Sequence, residues 1–476
     1  MKIINIHTAS KTILSDIITP ISLYLKIRDK YCNSFLLESS DYHGNDNNYS
    51  FICFEPLVNF KVENEIISVD GLGLEKQTDI KERGQVITEL KSLLNQFKLS
   101  DNDSTNGFFG YSNYDSVRYF EKIDIELKKE KPHSTPDIHY CFFKYIIEID
   151  HYKNTLKIKE NLRDNEESKI ENISQLVGNQ VNATHNFKTV GVEQTNISDT
   201  DFKQLITKGK EHCQKGDVFQ VVFSRQFSQQ FKGDEFNVYR ALRSVNPSPY
   251  LFYFDYGNYR LFGSSPEAQI KVKEKKATIN PIAGTFKRTG NDLQDEEAAK
   301  QLIKDPKENA EHTMLVDLAR NDLSKHGQNI NIKTYKEVHF YSHVIHLVSE
   351  VEADIQSDKD VLNIYADTFP AGTLSGAPKY RAMELINKYE NQNRGFYGGA
   401  IGFLGFDGSI NHAITIRSFL SKNNTLFFQA GAGVVVDSDE ESELQEVNNK
   451  LRALKQALTL AENIAPLSSP LREENN

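Results

Sequence analysis

Short runs of alternating hydrophobic and polar residues, typical of β-strands, fill the chain up to about residue 160. The clearest are SFLLESS, YSFICFEPLVNFKV and GFFGYSNYD, followed by HYCFFKYIIEIDHYKNTLKIKE, a candidate hairpin that turns at Lys153 and Asn154. Residues 163–198 are polar and rich in amides, and there we predict one short helix followed by a linker. The pattern therefore predicts a β-rich N-terminal lobe over residues 1–162.

Helical periodicity dominates the rest of the chain, where it alternates with pairs of strand-like runs. The predicted helices cover 201–214, 234–244, 292–304, 306–323, 359–367, 376–390 and 440–462. This mixture predicts a second lobe of mixed α and β structure over residues 199–465. The last segment, 466–476, has little apolar content, and we expect it to fray.

Composition narrows the class of protein. With 476 residues, 38% of them hydrophobic, the chain can bury a large core in two closely packed lobes. The net charge of −10 is spread over sequence of mixed sign, which argues against nucleic-acid binding. The four cysteines lie far apart, so neither a disulfide framework nor a zinc site is indicated. No run of about 20 apolar residues occurs, and we predict a cytoplasmic protein with no membrane contact.

Two glutamates occupy one face of the helix predicted in DPKENAEHTMLVDLARNDL. The stretch begins with a candidate N-cap, Asp305, followed by a proline at the first helical position, so Glu308 could simply complete a capping box. Capping does not require Glu311, which shares its face with Leu315 and Leu318 at 3.6 residues per turn. An acidic residue among leucines calls for another explanation.

A second pair, Glu443 and Glu446, shares a helical face with Val447 and Lys450. Either pair alone could belong to a solvated face. Four carboxylates in one partly buried cleft would repel, so one must take up a proton or a cation must neutralise them. Oxygen ligands favour Mg²⁺, which leaves open positions for an anionic substrate, and the two-His spacing of zinc proteases is missing. The pattern alone predicts a Mg²⁺-dependent enzyme that acts on an anion.

Several long motifs, spread in order over nearly the whole chain, resemble the chorismate-utilising enzymes. They are INPIAGT from Ile279, DPKENAEHTMLVDLARNDL from Asp305, HLVSEV from His346, FPAGTLSGAPKYRAME from Phe369, YGGAIGF from Tyr397, AITIRS from Ala413 and QAGAGVVVDSDEESELQEVNNKLRAL from Gln429. The resemblance implies an α+β fold with a four-layer α/β/β/α core and an intimately packed, β-rich N-terminal lobe. It also implies that chorismate and Mg²⁺ bind in a cleft of the second lobe, which is then the catalytic domain.

The same resemblance implies roles for individual residues. The metal ligands would be Glu308, Glu311, Glu443 and Glu446. The catalytic residues would be Glu267 as the general acid, His346 close to the ring during loss of pyruvate, and Thr285. The substrate-binding residues would be Gln220, Ala283, Gly284, Thr373, Tyr397, Arg417, Gly431, Ala432, Gly433 and Lys450. Arg417 and Tyr397 match positions that hold the enolpyruvyl carboxylate, for which a planar guanidinium is suited.

Some of these residues also have a purely structural interpretation. Glu267 could cap a helix after Ser264-Ser265-Pro266, and His346 could be a hydrogen-bonded histidine in a strand buried on both faces. Thr373 could belong to the first turn of a helix. Tyr397 and Arg417 could be a core tyrosine and part of a surface ion pair.

Two positions separate the branches of the family. Isochorismate and salicylate synthases carry a Lys general base where this chain has Gln220, and a neutral amide cannot deprotonate water. Aminodeoxychorismate synthases commonly carry a nucleophilic Lys where this chain has Ala283. The resemblance therefore implies that chorismate and ammonia become anthranilate and pyruvate, with 4-amino-4-deoxychorismate synthesis, a folate-pathway reaction, as the alternative. The stretch 286–289 departs from the family pattern, which leaves its contacts open.

The resemblance also extends to regulation and assembly. LLESS from Leu36 and NPSPYLFYF from Asn246 resemble a pocket for tryptophan as feedback inhibitor, formed by Glu38, Ser39, Asn246, Pro247, Ser248 and Tyr250. The two segments could equally be a strand end and a turn. No cysteine has the context of a glutaminase nucleophile. Ammonia would then come from solution or from a separate glutamine amidotransferase subunit (component II).

Overall fold

The computed structural model describes residues 3–39, 48–100, 104–128, 132–179, 184–340, 344–356 and 361–465. The strands are β1 (Ile4–Leu14), β2 (Phe35–Glu38), β3 (Tyr49–Glu63), β4 (Ile66–Asp70), β5 (Lys76–Asp79), β6 (Phe97–Leu99), β7 (Gly107–Ser112), β8 (Ile138–Asp150), β9 (Thr155–Leu162), β10 (Phe187–Thr195), β11 (Gln220–Gly233), β12 (Tyr250–Asp255), β13 (Tyr259–Ser265), β14 (Ala268–Lys273), β15 (Lys276–Ile279), β16 (Ile282–Lys287), β17 (Gln328–Phe340), β18 (Val344–Asp354), β19 (Gly376–Ala377), β20 (Ala400–Gly405), β21 (Ile410–Ile414), β22 (Ser418–Lys422) and β23 (Thr425–Val434). The α-helices are α1 (Pro20–Arg28), α2 (Gln85–Leu94), α3 (Ile170–Gly178), α4 (Asp199–Gln214), α5 (Phe236–Val245), α6 (Asp292–Lys304), α7 (Pro306–Ser324), α8 (Val361–Thr368), α9 (Gly372–Ser375), α10 (Lys379–Tyr389) and α11 (Glu440–Ala461). A 3₁₀ helix covers Tyr114–Tyr119.

The pairing of strands joins the first part of the chain to the second. Strand β2 lies between β3 and β12, with Glu38 opposite Leu251, and β7 pairs with β20, with Ser112 opposite Ala400. Apart from the parallel pair β1 and β6, the pairings are antiparallel throughout the described ranges. Because backbone hydrogen bonds cross between the N-terminal strands and later ones, the two parts pack as closely as the composition predicts.

Helix ends follow the local sequence signals. The Asp305 carboxylate accepts hydrogen bonds from the backbone N–H groups of Lys307 (2.9 Å) and Glu308 (3.0 Å), and Pro306 is the first residue of α7. The Asp305 N–H donates to Leu302, so α7 begins without a capping-box contact from Glu308. The capping interpretation of Glu308 is therefore wrong, and its side chain is left for another role.

The segment 163–198 contains more structure than the predicted helix and linker. Its helix is α3, as expected, but β10 then pairs with β11, and Phe187 packs against Phe231 with their ring centroids 5.5 Å apart. Most β10 side chains are exposed or half-buried, so their polar character resembles that of a linker although the backbone is paired. The placement of a lobe boundary in this segment stays a prediction, and the predicted fraying at 466–476 lies outside the described residues.

A buried ion pair connects several elements of the second part. The Arg394 guanidinium donates to both carboxylate oxygens of Glu390, at 2.9 and 2.6 Å, and to the carbonyls of Leu374 and Val222, both at 2.6 Å. Glu390 also accepts from the backbone N–H and the hydroxyl of Ser224, both at 2.8 Å. Both charged side chains are almost fully inaccessible to water. Their hydrogen bonds tie the end of α10 to α9 and β11, because a buried charge must be satisfied.

The helix predictions are confirmed where the structure describes them. Each predicted helix corresponds to an observed one, although the ends differ by a few residues, and the start of the helix predicted at 359–367 lies outside the described residues. The hairpin of β8 and β9 turns at Lys153 and Asn154 as predicted. No helix among the described ranges is both long and apolar enough to cross a membrane.

Candidate active site

Helices α7 and α11 bring together the four predicted metal ligands, which we call the glutamate cluster (Glu308, Glu311, Glu443 and Glu446). Burial raises the pKa of Glu308, and the negative charges of Glu311 and Glu446 raise it further. Burial also raises the pKa of Glu443, and the charge of Glu446 adds to the effect. Glu308 therefore lies close enough to Glu446 for their charges to repel across the two helices.

Protein donors satisfy part of the cluster. Lys450 donates to Glu446 at 2.6 Å, the hydroxyl of Ser438 donates to Glu443 at 2.7 Å, and the Gln220 amide donates to Glu311 at 3.3 Å. These contacts use only some of the carboxylate oxygens. Each of them offsets the charge of one carboxylate, but none of them joins α7 to α11.

The oxygens of the cluster suit a hard divalent cation. The Oε2 atom of Glu443 is buried and has no hydrogen-bond partner among the described residues. As placed, no three carboxylate, histidine or cysteine side chains of the described ranges are close enough together to hold a metal ion. The all-oxygen donor set, the mutual repulsion and the unsatisfied oxygen nevertheless fit Mg²⁺, provided that side chains rotate toward it.

Lys450 connects the cluster to the other predicted substrate-binding residues. Its ammonium donates to the Gly431 carbonyl at 3.0 Å, and its own carbonyl accepts from Arg417 at 2.6 Å. Arg417 has φ of 51°, in the left-handed region that is unfavourable for a residue with a side chain. Burial lowers the pKa of Arg417, and Tyr397 and Glu446 offset part of this decrease. An anionic partner would therefore stabilise the charged guanidinium. The interpretation of Arg417 as part of a surface ion pair is wrong.

Glycines of β23 permit close backbone packing in the site. A Cβ atom on Gly431 would lie 2.6 Å from the Phe223 carbonyl and 3.1 Å from the Tyr397 hydroxyl, and one on Gly433 would lie 2.6 Å from the Gln220 amide nitrogen. The side chain of Ala432 is fully buried in the core, as strand alternation requires.

Glu267 has the environment of a general acid. It lies between β13 and β14, so the alternative in which it caps a helix is wrong. The Thr373 hydroxyl donates to Glu267 at 3.0 Å. Burial raises the pKa of Glu267 to about 7, although this hydrogen bond and the charge of Lys450 oppose the shift. The carboxyl is therefore partly protonated near neutral pH, as a proton donor must be.

His346 is held against strand β16 at Gly284, where the pairing with β18 is irregular. Its Nδ1 atom lies 2.8 Å from the Gly284 carbonyl, and a carbonyl only accepts, so Nδ1 carries the proton. Burial lowers the pKa of His346. The positive charge of Arg417 lowers it further, whereas the hydrogen bond to Gly284 raises it. Gly284 has φ of 71°, and a Cβ there would lie 3.3 Å from a Glu308 oxygen. Gly284 in β16 thus lies between a neutral histidine and Glu308 of the cluster.

Strand β16 carries the remaining predicted residues. The backbone of Thr285 pairs with His346, but the side chain of Thr285 lies outside the described residues, so its catalytic role stays a prediction. Ala283 is buried and contributes only a methyl group. In the departure at 286–289, Arg288 donates to Asp295 at 2.8 Å, as does the Thr289 N–H at 2.7 Å. This stretch is anchored to α6 and makes no described contact with the cluster.

The residue that sequence reasoning missed is Arg394. Its guanidinium lies 4.7 Å from the ring centroid of Tyr114 and 5.8 Å from that of Tyr397. It therefore supports the tyrosine that is predicted to bind substrate. Glu390 and Arg394 lie four residues apart, a spacing typical of an ion pair on a helix. The surrounding sequence is polar, however, and in such a sequence an arginine is expected to face solvent.

The segments of the predicted tryptophan pocket meet at the β2 and β12 pairing. Glu38 accepts hydrogen bonds from the Tyr239 hydroxyl at 2.7 Å and from the Arg243 Nε atom at 3.1 Å. The Asn246 amide donates to Ser248 at 3.4 Å, and the buried hydroxyl of Tyr250 has no partner among the described residues. Two further residues of the predicted pocket have different surroundings. The backbone N–H of Ser39 donates to the Tyr49 carbonyl, and Pro247 is exposed to solvent.

Comparisons with known proteins identify the class. Residues 33–456 match the family model described as chorismate binding enzyme, and the chain belongs to this family. Among curated relatives, anthranilate synthase component 1 of Aquifex aeolicus is 34% identical over 472 residues, which cover 94% of each chain. The protein of the same name from Thermus thermophilus is 35% identical over 467 residues, covering 95% of this chain and 98% of the relative.

Solved structures agree on the fold. Anthranilate synthase component I from Streptococcus pneumoniae TIGR4 superposes with a TM-score of 0.76 at 29% identity, covering 93% of this chain and 99% of that one. The menaquinone-specific isochorismate synthase from Escherichia coli gives 0.74 at 18% identity, covering 96% and 95% of the two chains. The α+β chorismate-utilising fold predicted from the motifs is confirmed.

Replacement of Glu267 by Gln should stabilise the protein at alkaline pH. The pKa of Glu267 is about 7 in the folded protein, above its ordinary value of 4.5, so folding stability is lost as pH rises between these values. We expect Glu267→Gln to raise the free energy of unfolding by about 3 kcal/mol at pH 8 but only about 1 kcal/mol at pH 5.5. Urea unfolding at both pH values measures the difference.

The matched control for this measurement is Glu297→Gln, the same substitution at an exposed position of α6. It should change the free energy of unfolding by less than about 0.5 kcal/mol at either pH. A gain in the Glu267 variant that is the same at pH 5.5 and pH 8 would contradict the raised pKa.

Proposed function

We propose that this chain is the synthase subunit of an anthranilate synthase in tryptophan biosynthesis, a lyase that converts chorismate and ammonia into anthranilate and pyruvate. The observation that carries this proposal is the Glu267 carboxyl, with its pKa near 7, in a site that also holds the glutamate cluster, Arg417 and a neutral His346. Such a site can bind a dianion and protonate a poor leaving group. The similarity to component 1 relatives supports the same activity.

The positive groups of the site orient the substrate. Arg417 and Tyr397 hold the enolpyruvyl carboxylate, since the half-buried guanidinium has no carboxylate partner among the described residues that competes for it. Gly431 and Gly433 bring the β23 backbone close to the substrate. Mg²⁺, when bound by the glutamate cluster, supplies the charge that holds the ring carboxylate.

Protons move at two residues. Glu267 gives its proton to the 4-hydroxyl as that group departs as water, while ammonia adds at ring carbon 2. Thr373 fixes the direction of the Glu267 carboxyl through its 3.0 Å hydrogen bond. His346 is neutral and held by Gly284 through Nδ1, so its Nε2 atom can accept a proton during loss of pyruvate and aromatisation.

The residues at the two branch positions favour ammonia as the nucleophile. Gln220 is an amide that donates to Glu311, so it cannot act as the base that activates water. Ala283 offers no nucleophile to attack the ring. The alternative product, 4-amino-4-deoxychorismate, keeps the enolpyruvyl group and is distinguished by the absence of pyruvate.

Ammonia is supplied by a separate glutamine amidotransferase subunit in the cytoplasm. Two of the four cysteines support this, because Cys53 and Cys141 are buried and burial raises their pKa values, which is unsuited to a thiolate nucleophile. The chain alone should therefore use ammonium but not glutamine.

The assay that tests the function combines the purified chain with chorismate, Mg²⁺ and ammonium, and follows anthranilate fluorescence and released pyruvate. Both products should appear together, should vanish with EDTA, and should not form when glutamine replaces ammonium.

Glu267→Gln should lower kcat by about 10²-fold or more, and Glu297→Gln should leave it unchanged. Rates divided by the NH₃ concentration should fall as pH rises above about 7, because Glu267 loses its proton.

Chorismate consumption without pyruvate would instead assign aminodeoxychorismate synthesis. No consumption by the well-folded chain under any of these conditions would reject a chorismate-converting activity altogether.

We also propose that tryptophan inhibits the enzyme at the junction of β2 and β12. A carboxylate such as Glu38 suits the ammonium of an amino acid, and Tyr250 suits an indole ring. Arg243 and the Tyr239 hydroxyl already donate to Glu38, so the ligand ammonium would compete with them for this carboxylate. Tryptophan should lower the rate, and Glu38→Gln should weaken inhibition by about tenfold or more while leaving the uninhibited rate unchanged. Equal inhibition of both forms would reject the site.

A further inference from the structure

Asp115 is a buried carboxylate that the proposed mechanism does not use. It lies in the 3₁₀ helix of the first part of the chain, and its side chain reaches the segment that precedes Tyr397. Its Oδ2 atom accepts from the backbone N–H of Gly395 at 2.7 Å, and its Oδ1 atom accepts from the side-chain amide of Asn393 at 3.4 Å. Two residues far along the chain therefore satisfy this buried charge.

The orientation of the Asn393 amide is fixed by the backbone around it. The Lys128 N–H can only donate, so the Asn393 atom that lies 2.7 Å from it is the carbonyl oxygen. The amide nitrogen of Asn393 faces Asp115 and also donates to the Glu126 carbonyl at 3.2 Å. The contact between Asn393 and Asp115 is therefore that of a donor with an acceptor.

Gly395 is held through both of its backbone polar groups. Its N–H donates to Asp115, and its carbonyl accepts from the Tyr114 N–H at 2.8 Å. Gly395 has φ of 57°, in the left-handed region that glycine adopts more readily than other residues. The 3₁₀ helix thus fixes a backbone turn that lies two residues before Tyr397.

This turn places Tyr397 in the substrate site. The Tyr397 N–H donates to the Arg394 carbonyl at 3.3 Å, which closes the turn around Gly395. Tyr397 is buried, and a Cβ atom on Gly431 would lie 3.1 Å from its hydroxyl. Burial raises the pKa of Tyr397, and the charges of Arg394 and Arg417 oppose this rise. The hydroxyl therefore lies beside β23 and close to Arg417, where the enolpyruvyl carboxylate is expected.

We propose that Asp115 is a positioning residue for substrate binding: by holding the backbone of Gly395, it fixes the position from which Tyr397 meets the enolpyruvyl carboxylate. This inference rests on the proposed function, in which Tyr397 contacts that carboxylate. It gives the N-terminal part of the chain a share in a substrate site that is otherwise built from later residues.

The ionised form of Asp115 is the one suited to this role. A carboxylate accepts at both oxygens, and hydrogen bonds to a charged acceptor are stronger than those to a neutral one. Burial raises the pKa of Asp115, whereas the hydrogen bond from Gly395, the charge of Arg118 and the hydrogen bond from Asn393 lower it. The residues that Asp115 positions therefore also stabilise its charge.

The first test measures the affinity for chorismate directly, by titration calorimetry with Mg²⁺ present and with ammonium and glutamine left out, so that the substrate is not aminated. Asp115→Ala should raise the Kd for chorismate about tenfold or more, because the Gly395 N–H loses its acceptor and the turn before Tyr397 is released. Asp115→Asn keeps one oxygen for Gly395, so it should restore the Kd to within about threefold of wild type.

The matched control is Asp150→Ala, which removes another buried carboxylate from the N-terminal part of the chain. Asp150 accepts from the backbone N–H groups of Tyr152 at 3.0 Å and Lys153 at 2.9 Å, in the turn after β8. Its loss should lower the free energy of unfolding but leave the Kd for chorismate within about twofold of wild type. A similar rise in Kd in this control would overturn the positioning role.

A double-mutant cycle tests whether Asp115 acts through Tyr397. Tyr397→Phe removes the hydroxyl that meets the carboxylate, so adding Asp115→Ala should then raise the Kd by less than about twofold. Asp115→Leu, which fills the space of the carboxylate with an apolar side chain, should give the same results as Asp115→Ala. It covers the case in which the cavity left by alanine prevents folding.

The outcomes separate this inference from the proposed function. If the folded Asp115 variants bind chorismate as tightly as wild type, the positioning role is wrong and the function stands on its own assay. An equal loss with and without the Tyr397 hydroxyl would also overturn the role, because Asp115 would then act through the fold alone. If wild type binds chorismate and shows the expected cycle but makes no anthranilate, the proposed function fails and the positioning role stands. No binding of chorismate by wild type would overturn both.

Discussion

The repulsion among carboxylates on α7 and α11 is the constraint on which the rest of the site depends. The charges of neighbouring glutamates add to burial in raising the pKa of Glu308 and of Glu443. Such an arrangement costs stability unless positive charge or hydrogen-bond donors offset it. Lys450, Ser438 and Gln220 offset part of this cost. The unsatisfied oxygen of Glu443 marks where they do not.

A second network holds the elements around Tyr397 in fixed relation. Arg394 and Glu390 join the end of α10 to the carbonyls and amides of α9 and β11, and the guanidinium lies near the ring of Tyr397. Elements far apart in sequence thus share one buried polar centre. A fully satisfied network of this kind rigidifies its surroundings, which is what a preorganised active site needs.

The sequence predicted those features that depend on local periodicity and caps. Helices α7 and α11 and the acidic face of each could be read directly, because Asp305 and the spacing of the glutamates are local signals. Strand β10 could not be predicted from the sequence, because its polar side chains face water while its backbone pairs with β11. The buried pair of Arg394 and Glu390 was also missed, because burial is decided by distant elements. For the same reason no local pattern could show that the pKa of Glu267 is raised.

Binding of a divalent cation by the glutamate cluster is measured by titration calorimetry of Mg²⁺ in two buffers of different ionisation enthalpy. Binding should release more protons at pH 5 than at pH 8, because burial and neighbouring charges raise the pKa values of Glu308 and Glu443 and a cation would lower them. Glu443→Gln should weaken binding by about tenfold or more, about 1.4 kcal/mol, whereas Glu441→Gln, at an exposed position of the same helix, should not. Binding unchanged in the Glu443 variant, with no proton release at either pH, would show that the cluster does not hold the cation.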